Sequence, residues 1–98
     1  MAGFDAGGID ETIHGRLRLG VMAYLASVSP ANFTELAEVL EATNGNLSVH
    51  LRKLEEAGYV EIHKAFEGRR PATTVVLTDK GRAAWDVYLA QLKPLFGA

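Results

Sequence analysis

Residues 34–60 read TELAEVLEATNGNLSVHLRKLEEAGYV, and this stretch decides the fold. Leucines recur at three- and four-residue spacing on both sides of the turn-forming segment Thr43-Asn44-Gly45-Asn46, which is typical of two amphipathic helices joined by a short turn. The first helix is predicted to begin at Thr34, whose side chain can cap free backbone N–H groups. The second helix is predicted to run to about Ala57 and to end at Gly58.

The second of these helices has two contrasting faces. With about 3.6 residues per turn, Leu47, Leu51 and Leu54 fall within a narrow arc and predict a buried seam. The opposite side carries a stripe of small or hydrogen-bonding side chains, which are Gly45, Ser48, Val49 and Arg52. Two helices joined in this way are typical of a helix-turn-helix, whose second helix enters the major groove of DNA.

The segment that follows predicts a β-hairpin. Residues 59–66 alternate between apolar and polar side chains, and residues 72–78 are rich in Thr and Val. Between them lies the turn Glu67-Gly68-Arg69-Arg70-Pro71, so the tip of the hairpin is basic. Two short extended runs around a Gly-containing turn are the usual pattern of a hairpin.

Helices are predicted at both ends of the domain. Apolar spacing predicts a first helix from Asp10, as its N-cap, to about Val28. Thr78-Asp79 is predicted to cap a last helix, which Pro94 ends or kinks. The order helix, helix, helix, hairpin, helix predicts an α+β, mainly helical, winged helix-turn-helix. We expect residues 1–9 to form a flexible tail and residues 10–98 to form one domain.

Composition narrows the class of protein. The 98 residues are 48% hydrophobic, which suffices for one small core. No apolar run is long enough to span a membrane, no secretory signal is recognisable, and cysteine is absent. The lack of cysteine excludes disulfides and thiolate metal sites. We therefore expect a cytoplasmic protein without a cofactor.

The charge is unevenly distributed along the chain. The net charge of −2 is unfavourable for binding DNA. Residues 43–82, however, carry seven Lys and Arg against five Asp and Glu, whereas residues 1–42 carry two against six. This weak polarity predicts a modest non-specific affinity for DNA, since phosphate contacts by Lys and Arg dominate that affinity.

Two motifs carry a family resemblance. The run GNLSVHLRKLEEAGYV, residues 45–60, resembles the recognition helix and first wing strand of bacterial and archaeal winged-helix regulators of the MarR/ArsR-like group. The run LTDKGR, residues 77–82, resembles the LT-x-x-G turn that follows the wing in those families. The resemblance implies a homodimeric transcriptional regulator with Ser48, Val49 and Arg52 at base edges. It also implies that Arg69 or Arg70 serves the wing. The missing cysteines depart from the thiolate metal sensors of the ArsR-like group.

The predicted contacts to double-stranded DNA lie on the recognition helix and the wing. Amide side chains suit adenine edges, an arginine suits guanine or phosphate, and a valine suits the thymine methyl group. Asn44 and Asn46 are equally suited to turn and cap roles, and His50 is suited to packing or to a DNA contact. The full predicted set is Asn44, Asn46, Ser48, Val49, Arg52, Lys53, Lys64, Arg69 and Arg70.

The last helix is predicted to carry an aromatic apolar face. This face either closes the core of one protomer or is shared with a second copy. A terminal helix with so much apolar surface favours an isologous homodimer. The predicted interface consists of Ile13, Leu17, Trp85, Tyr88, Leu92 and Phe96, and a second, milder face consists of Ala83, Val87 and Ala90.

Two functions remain open at this stage. The first is a dimeric transcriptional regulator that binds double-stranded DNA, and the second is a winged-helix module for protein–protein interaction without DNA binding, which the negative net charge supports. A small-molecule effector is compatible with the first function, but no sequence feature supports one. The sequence contains no catalytic nucleophile motif, phosphate-binding glycine loop or metal-ligand spacing, so we expect no enzyme.

Overall fold

The computed structural model describes residues 9–96, except for the side chain of Phe96. Within this range the predicted element order is confirmed, and so is the winged helix-turn-helix fold. The helices are α1 (Arg16–Ser27), α2 (Phe33–Leu40), α3 (Asn44–Glu56) and α4 (Asp79–Leu92), and a short 3-10 helix, Lys93–Phe96, follows α4. The strands are β1 (Ala31–Asn32), β2 (Val60–Glu67) and β3 (Arg70–Leu77). The predicted tail, residues 1–9, lies outside the described residues except for its last member.

The helix α1 begins at Arg16 and not at Asp10. Asp10 instead caps a turn, because its Oδ1 accepts a hydrogen bond from the Thr12 N–H at 2.9 Å and its carbonyl accepts one from the His14 N–H at 2.9 Å. Gly15 has extended backbone with φ of 168° and separates this turn from the helix. Ile13 is nevertheless fully buried. The apolar spacing that predicted a continuous helix thus reflects burial of a turn.

The cap of α2 is Asn32, so the prediction of Thr34 was wrong. Asn32 Oδ1 accepts the Glu35 N–H at 2.6 Å, and Glu35 Oε1 accepts the Asn32 N–H at 3.4 Å. This reciprocal pair is a capping box. The Tyr24 hydroxyl also donates to the Glu35 carboxylate. That hydrogen bond raises the pKa of Tyr24 above its ordinary value and joins α1 to the start of α2.

The helix α3 begins inside the segment that was predicted to be a turn. Thr43 is its N-cap, because Thr43 Oγ1 accepts the Asn46 N–H at 3.2 Å. Residues 44–46 therefore form the first helical turn, and only residues 41–43 separate α2 from α3. Glu41 has φ of 52°, a left-handed conformation that ends α2 and lets the chain reverse within this short connection.

The strands β2 and β3 form the predicted wing. They are antiparallel and paired from Val60–Leu77 to Glu67–Arg70, which spans about 23 Å at the usual rise per residue. The turn is Gly68-Arg69 alone, shorter than the predicted five residues, and Gly68 has φ of 64° as a two-residue hairpin turn requires. The strand β1 adds to the other edge of β3 through Ala31 and Asn32, and it is too short to show an alternating pattern.

One hydrophobic core joins all these elements. The predicted seam of α3 is confirmed, since Leu47, Leu51 and Leu54 are at most 1% exposed. The other fully buried large side chains, each under 2% exposed, are Ile13, Val21, Met22, Leu25, Leu36, Val60, Val75 and Tyr88. In the described part of the chain, no helix combines the length and the apolar character needed to cross a membrane.

The start of α4 is locked to the base of the wing, and the predicted Thr78 cap is confirmed. Thr78 Oγ1 accepts the Gly81 N–H at 2.9 Å and donates to the Gly58 carbonyl at 2.6 Å, and the Thr78 N–H donates to the Tyr59 carbonyl at 3.1 Å. A Cβ at Gly81 would lie 2.1 Å from the Tyr59 carbonyl oxygen. This close approach is a physical reason for the glycine of the LT-x-x-G turn.

Candidate nucleic-acid interface

The exposed face of α3 carries the predicted recognition residues. Ser48, Val49 and Arg52 are all exposed, with Val49 at 54%. Asn44, Asn46 and Lys53 are exposed as well. Because the buried leucine seam fixes the opposite side of the helix against the core, this stripe faces outward as a rigid surface. The surface is suitable for hydrogen bonding and for small apolar contacts.

A groove of about 370 Å³ separates α3 from the wing. Its α3 side consists of Ser48, Leu51, Arg52 and Glu55, its wing side of Ile62, Lys64 and Thr73, and Phe33 also lines it. The groove therefore brings together three of the predicted DNA contacts, which are Ser48, Arg52 and Lys64. Glu55 places a carboxylate on the same wall of the groove as Arg52.

The register of the hairpin separates the wing residues into two faces. Side chains alternate along a strand, and directly paired residues share a face. Lys64 pairs with Thr73 and lies on the same face as the buried Val60, so it points into the groove. Arg70 pairs with Glu67 on the other face, and Arg69 lies in the turn at the tip. The predicted wing residues thus occupy three different positions.

Sequence reasoning missed Phe66, the next residue after Lys64 on the groove face. Phe66 pairs with Pro71, and its side chain is 73% exposed. The signal was present in the sequence, because the alternation that predicts β2 places Phe66 on the same side as Val60 and Ile62. The alternation by itself does not show that this face is buried at Val60 and exposed at Phe66.

Two of the basic residues of the positively charged segment 43–82 make contacts away from the groove. The Lys80 Nζ lies 6.0 Å from the centroid of the Tyr59 ring. Arg82 donates a hydrogen bond to the Ala26 carbonyl at the end of α1, at 3.2 Å. Neither lines the groove. The basic character of the candidate interface therefore comes mainly from Arg52, Lys53 and the wing.

His50 is half-buried on the flank of the α3 seam. Its Nδ1 is buried without a hydrogen-bond partner among the described residues. Burial lowers the pKa of His50 below its ordinary value, and the positive charges of Arg18 and Lys53 lower it further. The lowered pKa favours the neutral form of His50 over the charged imidazolium. This environment fits the packing role rather than a charged contact with DNA.

The residues predicted to form a dimer interface lie in different environments. Ile13 and Tyr88 are at most 1% exposed within the protomer, and Trp85 is 9% exposed and stacks on Tyr88 at 5.7 Å between ring centroids. Leu17 and Leu92 are half-buried, and the side chain of Phe96 lies outside the described part of the chain. Trp85 and Tyr88 thus close the core of the protomer, which was the other interpretation of this face.

Comparisons with known proteins agree with this architecture. The chain is 38% identical over 79 residues to an uncharacterized protein of Methanocaldococcus jannaschii, a match covering 81% of this chain and 86% of that protein. The structure of a transcriptional regulator homologue from Pyrococcus horikoshii OT3 superposes with a TM-score of 0.83 and 34% identity, covering 90% of this chain and 87% of that one. A protein of Enterococcus faecalis V583 assigned to the MarR family of transcriptional regulators superposes with a TM-score of 0.72 and 26% identity, covering 95% and 94%.

The family model for winged helix DNA-binding domains matches residues 17–96, from within α1 to the 3-10 helix after α4. This range includes the helix-turn-helix, the wing and the groove between them. The expected resemblance to winged-helix transcriptional regulators is therefore confirmed. The chain belongs to the winged helix DNA-binding domain family.

Proposed function

We propose that this domain acts as a non-enzymatic, dimeric transcriptional regulator that binds a specific sequence of double-stranded DNA. The observation that carries the proposal is the groove between α3 and the wing, which has Arg52 on one wall and Lys64 on the other. A DNA strand has a phosphate at every step, and a groove with cations on both walls is suited to hold that backbone. In this arrangement α3 enters the major groove, and the wing reaches across the strand.

The exposed stripe of α3 supplies sequence readout in this proposal. Arg52 fits guanine as a bidentate donor, Val49 fits the thymine methyl group, and Ser48 fits either a base or a phosphate. Asn44 and Asn46, in the first turn of α3, reach adenine edges or backbone oxygens. Glu55 forms the acidic end of the groove and disfavours a phosphate there, which restricts the path of the strand along α3.

The wing supplies sequence-independent affinity. Its tip region, residues 64–71, contains Lys64, Arg69 and Arg70 against the single carboxylate of Glu67. Arg70 lies opposite Glu67 on the other face of the hairpin, so we assign the phosphate contact to Lys64 and the contact at the tip to Arg69. A thin hairpin with a basic tip is suited to the minor groove, whose potential is strongly negative where the groove is narrow.

Fluorescence anisotropy with a mixed-sequence duplex at several salt concentrations tests the proposal. Arg69→Ala and Lys64→Ala should each weaken binding and lower the slope of log K against log salt by about 0.9. Lys80→Ala serves as the matched control, since it removes one positive charge outside the groove, and it should leave the slope nearly unchanged. Once an operator is selected, Arg52→Ala should reduce discrimination at one base position by about 1–3 kcal/mol.

The same titrations separate the two functions that composition left open. Salt-dependent binding that the groove variants weaken more than Lys80→Ala supports the DNA-binding regulator. No salt-dependent binding, or equal effects of all variants, contradicts it and favours the protein-interaction module. In that case we would expect a partner protein that binds the exposed face of α3.

Dimerisation is the second part of the proposal. Because Trp85 and Tyr88 are buried in the protomer, we assign the interface to the opposite face of α4, where Val87 is 57% exposed between the exposed Ala83 and Ala90. Side chains this small let two helices approach closely. The half-buried Leu17 and Leu92 remain candidates at its margin.

Light scattering coupled to size-exclusion chromatography tests the oligomeric state. The parent should show the mass of a dimer at micromolar concentration, and Val87→Glu should show that of a folded monomer, since Val87 lies outside the core. A monomeric parent would refute the dimer and leave DNA binding by single protomers to be measured separately.

A further inference from the structure

Phe66 lies on the wing where a hydrophobic side chain has no neighbour to bury it. Among the large apolar side chains of the described residues, its exposure of 73% is the highest, above 57% for Val87 and 54% for Val49. Its directly paired residue, Pro71, is exposed too. An aromatic ring left in water forgoes the stabilisation that its burial would bring. A bound partner at this position would recover it.

The surroundings of Phe66 identify the kind of partner. Lys64 precedes it on the groove face and Arg69 lies in the turn, whereas Arg70 lies on the other face opposite Glu67. An apolar ring with two cations near it on the wing matches a polyanion that also has apolar surface. Duplex DNA combines both, because its phosphates flank deoxyribose rings that form the walls of the minor groove.

The geometry of the wing brings the ring to the correct place. Phe66 lies one pair of residues from the end of a hairpin whose paired strands span about 23 Å from the base, and it shares its face with Lys64, which lines the groove beside α3. With α3 in the major groove and one strand held along the groove, the end of the wing meets the adjacent minor groove.

We infer that Phe66 packs its ring against the deoxyribose wall of the minor groove and supplies a salt-independent part of the DNA affinity. This inference rests on the proposed function. The contact carries no charge and reads no base edge, so it strengthens binding to many sequences. Lys64 and Arg69, by contrast, carry positive charge and act through counterion release. The wing therefore combines two physically separable contributions to affinity.

The experiment compares the parent with Phe66→Ala, Phe66→Leu and Arg69→Ala by anisotropy on an A·T-rich duplex over a range of salt. Phe66→Ala should bind about tenfold more weakly at every salt concentration, with the same slope as the parent, since the lost burial is apolar. Phe66→Leu should stay within about threefold of the parent because it keeps most of the apolar surface. Arg69→Ala should lower the slope. Unfolding temperatures of all four proteins should agree, since Phe66 is largely exposed.

Prior saturation of the duplex with netropsin, which fills the minor groove of A·T-rich DNA, locates the contact. On the netropsin-saturated duplex, the difference in affinity between the parent and Phe66→Ala should disappear. Arg52→Ala should still weaken binding to that duplex. A difference that persists overturns the inference, as does a Phe66→Ala variant that binds as tightly as the parent or changes the salt slope. A lower mass of Phe66→Ala in light scattering also overturns it, because the ring would then contact a second copy. If the parent shows no salt-dependent binding, the proposed function itself fails.

Discussion

Replacing Gly81 with alanine should loosen the joint between α4 and the base of the wing. The added Cβ would lie 2.1 Å from the Tyr59 carbonyl oxygen and 2.9 Å from Leu77 Cδ1. The carbonyl is backbone and is held by the Thr78 N–H at 3.1 Å. Rotation of the Leu77 side chain can relieve the second contact, but no side-chain rotation can relieve the contact with the Tyr59 carbonyl. The start of α4 and the connection from α3 to β2 must separate by more than about 1 Å to restore an ordinary van der Waals contact.

The expected cost follows from the contacts that this shift breaks. Forcing an extra carbon into a packed site costs about 1–3 kcal/mol. The hydrogen bond from Thr78 to Tyr59 and the cap from Thr78 to Gly81 contribute about 1 kcal/mol each. We expect a total loss of about 3–5 kcal/mol in the free energy of unfolding, which is a large part of the stability of a small domain. For a domain of this size the loss corresponds to a fall in Tm of about 12–40 °C.

Urea and thermal unfolding followed by circular dichroism measure this loss. Gly45→Ala is the matched control, because a Cβ at Gly45 meets nothing within 4 Å and the residue lies in the first turn of α3. That variant should keep the parent stability or gain up to about 1 kcal/mol, as alanine is the better helix former. If Gly81→Ala lost less than about 1 kcal/mol, the joint would be deformable, and the close approach to Tyr59 would not explain the glycine of the LT-x-x-G turn.

Three further predictions concern other parts of the domain. Burial and the hydrogen bond to Asp10 raise the pKa of Tyr59 from 10.0 to about 12. The stabilisation is therefore complete below pH 10 and lost as the pH rises to 12, so the urea midpoint should fall more steeply over this range in the parent than in Tyr59→Phe; equal slopes would contradict this assignment. Urea denaturation should show that Asn32→Ala lowers the free energy of unfolding by about 0.5–2 kcal/mol and that Asn32→Asp restores most of it. An unchanged free energy in Asn32→Ala would show that the capping box contributes nothing. Leu51→Ala should cost about 2–5 kcal/mol by the same measurement, against less than about 0.5 kcal/mol for the exposed Ser48→Ala; similar losses would show that the α3 seam is not packed as described.

The elements that the sequence predicted well depend on short-range rules. The seam of α3 follows from helical periodicity, and Thr78 caps α4 because its hydroxyl oxygen and the Gly81 N–H are close in sequence. The errors occurred where local rules allow two answers. Asn32 and Thr34 are both good N-caps, and Asn32 is the one used, because Ala31 and Asn32 pair with β3 and Glu35 reaches back to complete the capping box. Ile13 lies at helical spacing from the apolar residues of α1, but it is buried as part of a turn, so the spacing there does not indicate a helix.

The sequence by itself determined the order of the elements, the outward stripe of α3 and the basic tip of the hairpin, because each depends on residues within a few positions of one another. Only the tertiary structure decided that Lys64 lines a groove beside α3, that Phe66 stays exposed and that Arg70 pairs with Glu67. It also decided that Trp85 and Tyr88 fill the core of the protomer. Local patterns show which side chains are apolar or charged, but they do not show which surface each side chain meets. Which surface a side chain meets depends on packing between segments far apart in the chain, since the burial of a residue is a property of all the elements that enclose it.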